Sequence, residues 1–303
     1  MLLKQIIENQ VRYIFIILSV FIFSLTVISC KSSDDEDLPS SANGLFVTVG
    51  NVGSILTSSD GLSWTERTSG TTNNLHGVTY GGGLVLTVGD NGTILTSSDG
   101  TTWTSRTSGI TNNLYGVTYG GGLFVTVGDN GTILTSSDGT TWANTSANKR
   151  TTLRYFSKAD AQHLYGVTYG DGLFVTVGGD ATIFTSSDGT TWTENGQDFR
   201  SKWENGQYFK AVTYRNKLFV LVSRVGKIFN SPDGITWKQR KAGTGSNLTG
   251  VTYSHTCGKV EWKGLDAGLC KNGIFLAVGK GGKIITSFDG NWWVKRTFKG
   301  AGW

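Results

Sequence analysis

The stretch TILTSSDGTTWT (residues 93–104) returns at 132–143 as TILTSSDGTTWA, with one residue changed. Weaker forms recur four more times, and six tryptophans mark the copies: Trp64, Trp103, Trp142, Trp192, Trp237 and Trp293. Their spacings of 39, 39, 50, 45 and 56 residues suit a supersecondary unit that buries its apolar surface only against its own neighbours.

Working outward, the fullest copy is LYGVTYGGGLFVTVGDNGTILTSSDGTTWA, residues 114–143. Turn signals cut it into four short strands. Gly-Gly-Gly follows LYGVTY, Asp-Asn-Gly follows LFVTVG, and Asp-Gly follows TILTSS. Asn-Gly and Asp-Gly between β-rich runs favour hairpins because these residues tolerate positive φ. LFVTV is apolar or β-branched throughout instead of alternating, so both of its faces should be covered. Six four-stranded meanders covered on both faces predict an all-β fold, a six-bladed β-propeller. A linear β-solenoid is the alternative, with shorter coils and capped ends. The LYGVTY-type strand occurs only five times, and the place for a sixth holds EDLPSS (36–41). The first blade is therefore expected either to have three strands or to take a weak inner strand from a terminus.

The composition agrees with β structure. Only 16% of the 303 residues are charged, 43 are Gly and 2 are Pro, and no helical period follows residue 30. The formal net charge of +5 is too mild to imply nucleic acid.

Residues 1–29 read as a leader. Lys4 and Arg12 precede the apolar run Tyr13–Val27, which is short for a membrane span. The run ends in Val27-Ile28-Ser29-Cys30, which resembles a bacterial lipobox. That resemblance implies a lipid on Cys30, anchorage to a membrane, removal of the leader before Cys30, and residence in the cell envelope as an outer-membrane lipoprotein. The following KSSDDEDLPSSANG has no periodicity and reads as an acidic tether over 30–43. It is similar to the surface-export signal of Bacteroidetes lipoproteins; a solvated spacer is the other reading. The propeller then spans 44–303.

Ser-Ser-Asp-Gly-Thr-Thr-Trp resembles the Asp-box, or bacterial neuraminidase repeat, although each copy is one residue shorter between Asp and Trp. The longer unit is similar to propellers related to the photosystem II assembly-factor group. The resemblance covers about Leu45–Trp293 and implies architecture more than activity. Asp60, Asp99, Asp138, Asp188, Asp233 and Asp289 each begin a tight turn, where a carboxylate can accept backbone N–H bonds. A catalytic acid is needed once and a turn in every blade, so these six aspartates are expected to be structural, with each Trp burying a ring at a blade edge.

Sialidase chemistry is not expected, because the (F/Y)RIP tetrapeptide is missing and the repeat-positioned Arg67, Arg106 and Arg296 read as outer-strand residues. Other glycosidases need two placed carboxylates, and Glu194, Asp198, Glu204, Glu261 and Asp266 form no evident pair. His76, His163 and His255 are scattered, and the turns at Asp90 and Asp129 lack the further ligands of a calcium loop. No metal, cofactor or phosphate loop is expected.

The residues that depart from the repeat carry the functional expectation. Excess length falls at Asn144–His163, Thr193–Tyr208 and Ser254–Asn272. The first two join an outer strand to the next inner strand, on the face that also holds the turn between second and third strands. They carry Arg150, Arg154, Tyr155, Phe156, Arg200, Lys202, Trp203 and Tyr208, basic and aromatic residues suited to a binding surface. Folding of these rings onto the propeller as a satellite core is the other reading. The third insertion places Cys257 and Cys270 in one hairpin, where a disulfide would contribute about 3 kcal/mol. The expected function is non-catalytic binding of a glycan or protein by a monomer. A glycan hydrolase and an envelope assembly factor are the alternatives.

Overall fold

A computed structural model describes residues 28–29, 45–145, 163–195, 208–242, 245, 247–254 and 273–296. Among them every sheet is four-stranded, antiparallel and in simple meander order. The chain divides into two units, Met1–Ser146 and Ala147–Trp303.

The first unit holds three blades. Blade 1 comprises β1 (Ile28–Ser29), β2 (Phe46–Val49), β3 (Ile55–Ser58) and β4 (Thr65–Arg67). Blade 2 comprises β5 (Leu75–Gly81), β6 (Leu84–Gly89), β7 (Ile94–Ser97) and β8 (Thr104–Arg106). Blade 3 comprises β9 (Leu114–Gly120), β10 (Leu123–Gly128), β11 (Ile133–Ser136) and β12 (Ala143–Asn144).

The second unit repeats the pattern. Blade 4 comprises β13 (Leu164–Gly170), β14 (Leu173–Gly178), β15 (Ile183–Ser186) and β16 (Thr193–Glu194). Blade 5 comprises β17 (Phe209–Arg215), β18 (Leu218–Ser223), β19 (Ile228–Ser231) and β20 (Lys238–Arg240). Blade 6 comprises β21 (Leu248–Ser254), β22 (Ile274–Gly279), β23 (Lys283–Ser287) and β24 (Val294–Arg296). The fold is a six-bladed β-propeller, as the repeat count requires.

The continuous apolar strands are covered on both faces. On β6, Val85 packs with Val47, Val49 and Ile55 of blade 1, whereas Leu86 and Val88 pack with Leu114, Phe124 and Leu134 of blade 3. On β18, Phe219 and Leu221 face Val175, Val177 and Ile183 of blade 4. Val220 and Val222 on the same strand face Leu248, Phe275 and Ile285 of blade 6. Within a blade, the Tyr of the inner strand lies on the aromatic ring opposite it, with centroids 4.5–4.8 Å apart for Tyr119–Phe124, Tyr169–Phe174, Tyr214–Phe219 and Tyr253–Phe275.

Blade 1 takes the second of the two expected forms. Its inner strand is the two-residue β1, paired Ile28↔Val47 and Ser29↔Phe46, against six paired positions in the inner hairpin of blade 2. This strand falls immediately before Cys30, within residues that the sequence reads as leader.

Candidate functional site

The site is built where each inner strand begins. Pairing of β5 with β6 slips there, from Leu75↔Gly89 to Gly77↔Val88, leaving His76 as an extra residue. The same slip isolates Tyr115, Tyr165, Lys210 and Thr249 in the next four blades. A β-bulge of this kind re-aims one side chain and bends the strand. Ser223 stands opposite it in blade 5 and glycine in the other four; a Cβ on Gly89 or Gly128 would overlap the carbonyl oxygen of Asn74 or Asn113.

That carbonyl also ties the connection from the preceding blade to the turn between second and third strands. The N–H groups of Asp90, Asp129, Gly179, Arg224 and Lys280 donate to the carbonyls of Asn74, Asn113, His163, Tyr208 and Asn247, each at 2.9 Å. His163 and Tyr208, the described ends of the connections that carry the first two insertions, are thus tied to those turns, next to the bulge residues.

In the first unit this face is acidic and aromatic. His76 Nε2 lies 2.6 Å from Asp90 Oδ1, and Asn74 Nδ2 donates to Asp90 Oδ2 at 2.9 Å. One blade on, the Tyr115 hydroxyl donates to Asp129 Oδ1 at 2.7 Å, and the His76 and Tyr115 rings sit tilted with centroids 5.4 Å apart. His76, expected to be scattered, is thus held by a carboxylate fourteen residues away. Among the described residues no group of three or more His, Cys, Asp or Glu side chains is placed to hold a metal ion.

In blade 5 of the second unit the equivalent positions, Lys210 and Arg224, are basic. Lys210 Nζ lies 3.3 Å from the Tyr165 ring centroid and 5.9 Å from that of Tyr208. The Arg224 guanidinium stands 5.7 Å from the Tyr208 ring. Cations over ring faces at these distances are attracted by the ring quadrupole. Nearby in the same turn, burial lowers the Lys227 ammonium below its ordinary value. This arrangement holds two positive charges against two flat rings, a surface suited to an anionic ligand with planar or apolar parts.

Tyr208 is the expected ligand-binding residue that this cluster contains. Arg150, Arg154, Tyr155, Phe156, Arg200, Lys202 and Trp203 lie outside the described residues, as do Cys30, Cys257 and Cys270. Sequence reasoning missed Tyr165, Lys210 and Arg224. The signal was present in the repeat itself, since Lys210 replaces His76 and Tyr115, and Arg224 replaces Asp90 and Asp129.

The six turn aspartates behave as one set. Asp60 Oδ1 accepts the N–H groups of Leu62 and Ser63 at 2.7 and 2.8 Å and the Ser58 hydroxyl at 2.9 Å. Asp188 Oδ1 does the same with Thr190, Thr191 and Ser186. These donors, led by the Thr191 N–H, hold the Asp188 carboxyl well below the usual range. The indole N–H groups of Trp103, Trp142, Trp192, Trp237 and Trp293 each donate to a glycine carbonyl three residues back, at 3.0–3.3 Å. The Trp64 indole nitrogen is buried without a hydrogen-bond partner.

No family model matches the chain, and no curated protein matches it. Solved structures do match in fold. A structure of YCF48 bound to a D1 peptide superposes with a TM-score of 0.56 at 16% identity, covering 83% of this chain and 76% of that one. YCF48 from Cyanidioschyzon merolae gives 0.56 at 16%, over 84% and 80%. A GH74 enzyme from Niastella koreensis gives 0.56 at 17%, over 90% of this chain but only 37% of the enzyme. The WD40 β-propeller domain of Doa1 gives 0.59 at 14%, over 84% and 79%. At these identities the likeness is one of fold: this chain is similar to β-propellers.

Proposed function

We propose that this protein is a non-catalytic binding module of the cell envelope, held at the membrane by a lipid on Cys30, whose ligand is an acidic segment of another protein. The observation that carries the reading is the Tyr165–Lys210–Tyr208–Arg224 cluster, which adjoins the connection bearing Arg200, Lys202 and Trp203. Two cations and two rings gathered across blades 4 and 5 are the elements that anchor protein interfaces. That a propeller of similar fold, YCF48, is found with a D1 peptide bound supports a peptide ligand.

The test is selection of peptides on the immobilised full chain from a library of acidic and neutral decapeptides. Acidic peptides should be enriched, with binding that weakens as salt rises, and Arg224→Glu should abolish the enrichment. Equal recovery of neutral peptides, or undiminished binding by Arg224→Glu, would overturn the reading.

A further inference from the structure

The rim of blades 5 and 6, where the Asp-Gly turns lie, departs from the repeat in a way that the insertion face does not explain. Ser63, Thr102, Thr141, Thr191 and Thr236 stand just before the repeat's Trp in five copies; in the sixth, the same place holds Trp292. Its neighbour Trp293 is buried, yet Trp292 is 77% exposed, with Ile235 and Val294 also about half exposed at 52% and 50%. An indole left in water in a turn otherwise built of threonine has no packing role to account for it.

The chain neighbour of Trp292, Asn291, lines a cleft of about 340 Å³, together with Asn230, Pro232, Asp233, Lys238 and Arg240, among others. Its floor is a second departure. Asn230 replaces Thr57, Thr96, Thr135, Thr185 and Thr286 of the other copies. In three of those copies the threonine hydroxyl accepts an arginine Nε, at 2.8 Å for Arg67, Arg106 and Arg296. Asn230 keeps that bond to Arg240 Nε at 2.9 Å. Being longer, it also donates from Nδ2 to the Gly290 carbonyl at 3.0 Å and to Asn291 Oδ1 at 3.1 Å. Asn230 is buried and ties Arg240 of blade 5 to the turn that presents Trp292.

The geometry points to a saccharide site: we propose that Trp292 and the Asn230–Lys238–Arg240–Asn291 cleft bind a pyranose unit carrying an anionic group. The flat indole offers a stacking platform for the C–H face of a sugar ring, while Lys238 and the guanidinium end of Arg240 offer directional donors; the Asn291 amide, which donates to the Asp289 carbonyl and Oδ2 at 3.2 and 3.3 Å, holds the turn. The cleft holds two cations against one carboxylate, and the Oδ1 oxygen of that carboxylate, Asp233, is taken by Ser231, Ile235 and Thr236. Its charge therefore selects a carboxylated or sulfated sugar over a neutral one. The site stands apart from the Tyr208 cluster and does not rest on it.

The test uses the full chain and three immobilised probes: a galacturonate hexamer, a sulfated heparan-type hexamer and cellohexaose. Wild type should retain at least one of the anionic probes, and which one identifies the anionic group. Trp292→Thr installs the residue found in four other blades, so it should fold normally and weaken binding at least tenfold. Lys238→Thr copies Thr104 and should weaken binding severalfold while flattening its salt dependence. Failure to bind either anionic probe, equal binding of cellohexaose, or retention by Trp292→Thr would each overturn the proposal. A loss caused by Arg224→Glu with no loss in Trp292→Thr would place saccharide binding on the other face and overturn it as well.

Discussion

Gly81 of blade 2 lies directly under the Tyr119 ring of blade 3, so closely that a Cβ on Gly81 would overlap the ring's Cγ. Gly170 and Tyr214 repeat the arrangement between blades 4 and 5. The glycines ending β5 and β13 are therefore packing requirements set by the next blade. Replacing Gly81 by Ala should force the tyrosine aside and cost about 1–3 kcal/mol, the usual range for overpacking a filled site. Denaturant unfolding measures the loss. Gly245→Ala, where a Cβ meets nothing within 4 Å, is the matched control and should be near neutral.

Val52 occupies the left-handed region at φ 54°, in the place where Asn91 (φ 54°) and Asn130 (φ 55°) stand in blades 2 and 3. A β-branched residue is strained there and asparagine is tolerated. Val52 is exposed, and its N–H already donates to Asn74 Oδ1 at 3.0 Å, as that of Asn91 does to Asn113 Oδ1. Val52→Asn should stabilise the protein by about 1 kcal/mol and raise the melting temperature by about 2–4 °C.

The turn carboxylates make stability depend on acid. Burial works to raise the Asp233 carboxyl, but the Thr236 N–H, the Ser231 hydroxyl and the Ile235 N–H outweigh it and hold the pKa at about 2, against an ordinary 3.8. A group depressed in the fold contributes fully above its unfolded value, and the contribution disappears as pH falls through the folded one. Stability should thus be flat above about pH 4 and decline toward pH 2. Asp233→Asn should reduce that decline; an unchanged acid profile in this variant would refute the assignment.

Two expectations meet at the N-terminus. Palmitate labelling should disappear in Cys30→Ala, and persistence of label would remove the lipid anchor from the account. If processing occurs at Cys30, it also removes β1 and leaves the edge of β2 without Ile28 and Ser29. Hydrogen exchange should then be faster at Phe46 and Val47 in a chain beginning at Cys30 than in the unprocessed chain. Equal rates would mean that this pairing contributes nothing to blade 1.

The Cys257–Cys270 pairing is open to direct measurement. Mass mapping without reductant should recover the two cysteines in one linked peptide, and free thiols would refute the bridge.

Much of the fold was legible because its determinants are local and repeated. Asp99 beginning its turn, Asn91 at positive φ and the unbroken apolar run of LFVTV each carry their structural meaning within a few residues, and six copies multiply the signal. The candidate sites were less legible because they are made of departures from that pattern. Lys210, Arg224, Asn230 and Trp292 look unremarkable as single residues; they matter through what the neighbouring strand or blade brings to them.

By itself the sequence determined the number of blades, their strand boundaries and the turns between them, since hairpin chemistry and strand burial act over short stretches of chain. Only the tertiary structure decided that Ile28–Ser29 completes blade 1, that His76 meets Asp90, that Lys210 lies over Tyr165, and that Asn230 reaches the Trp292 turn. Each depends on register, bulge placement or contact across a blade interface. Those are properties of packed sheets, in which residues 60 positions apart become hydrogen-bond partners, as Asn230 and Gly290 do.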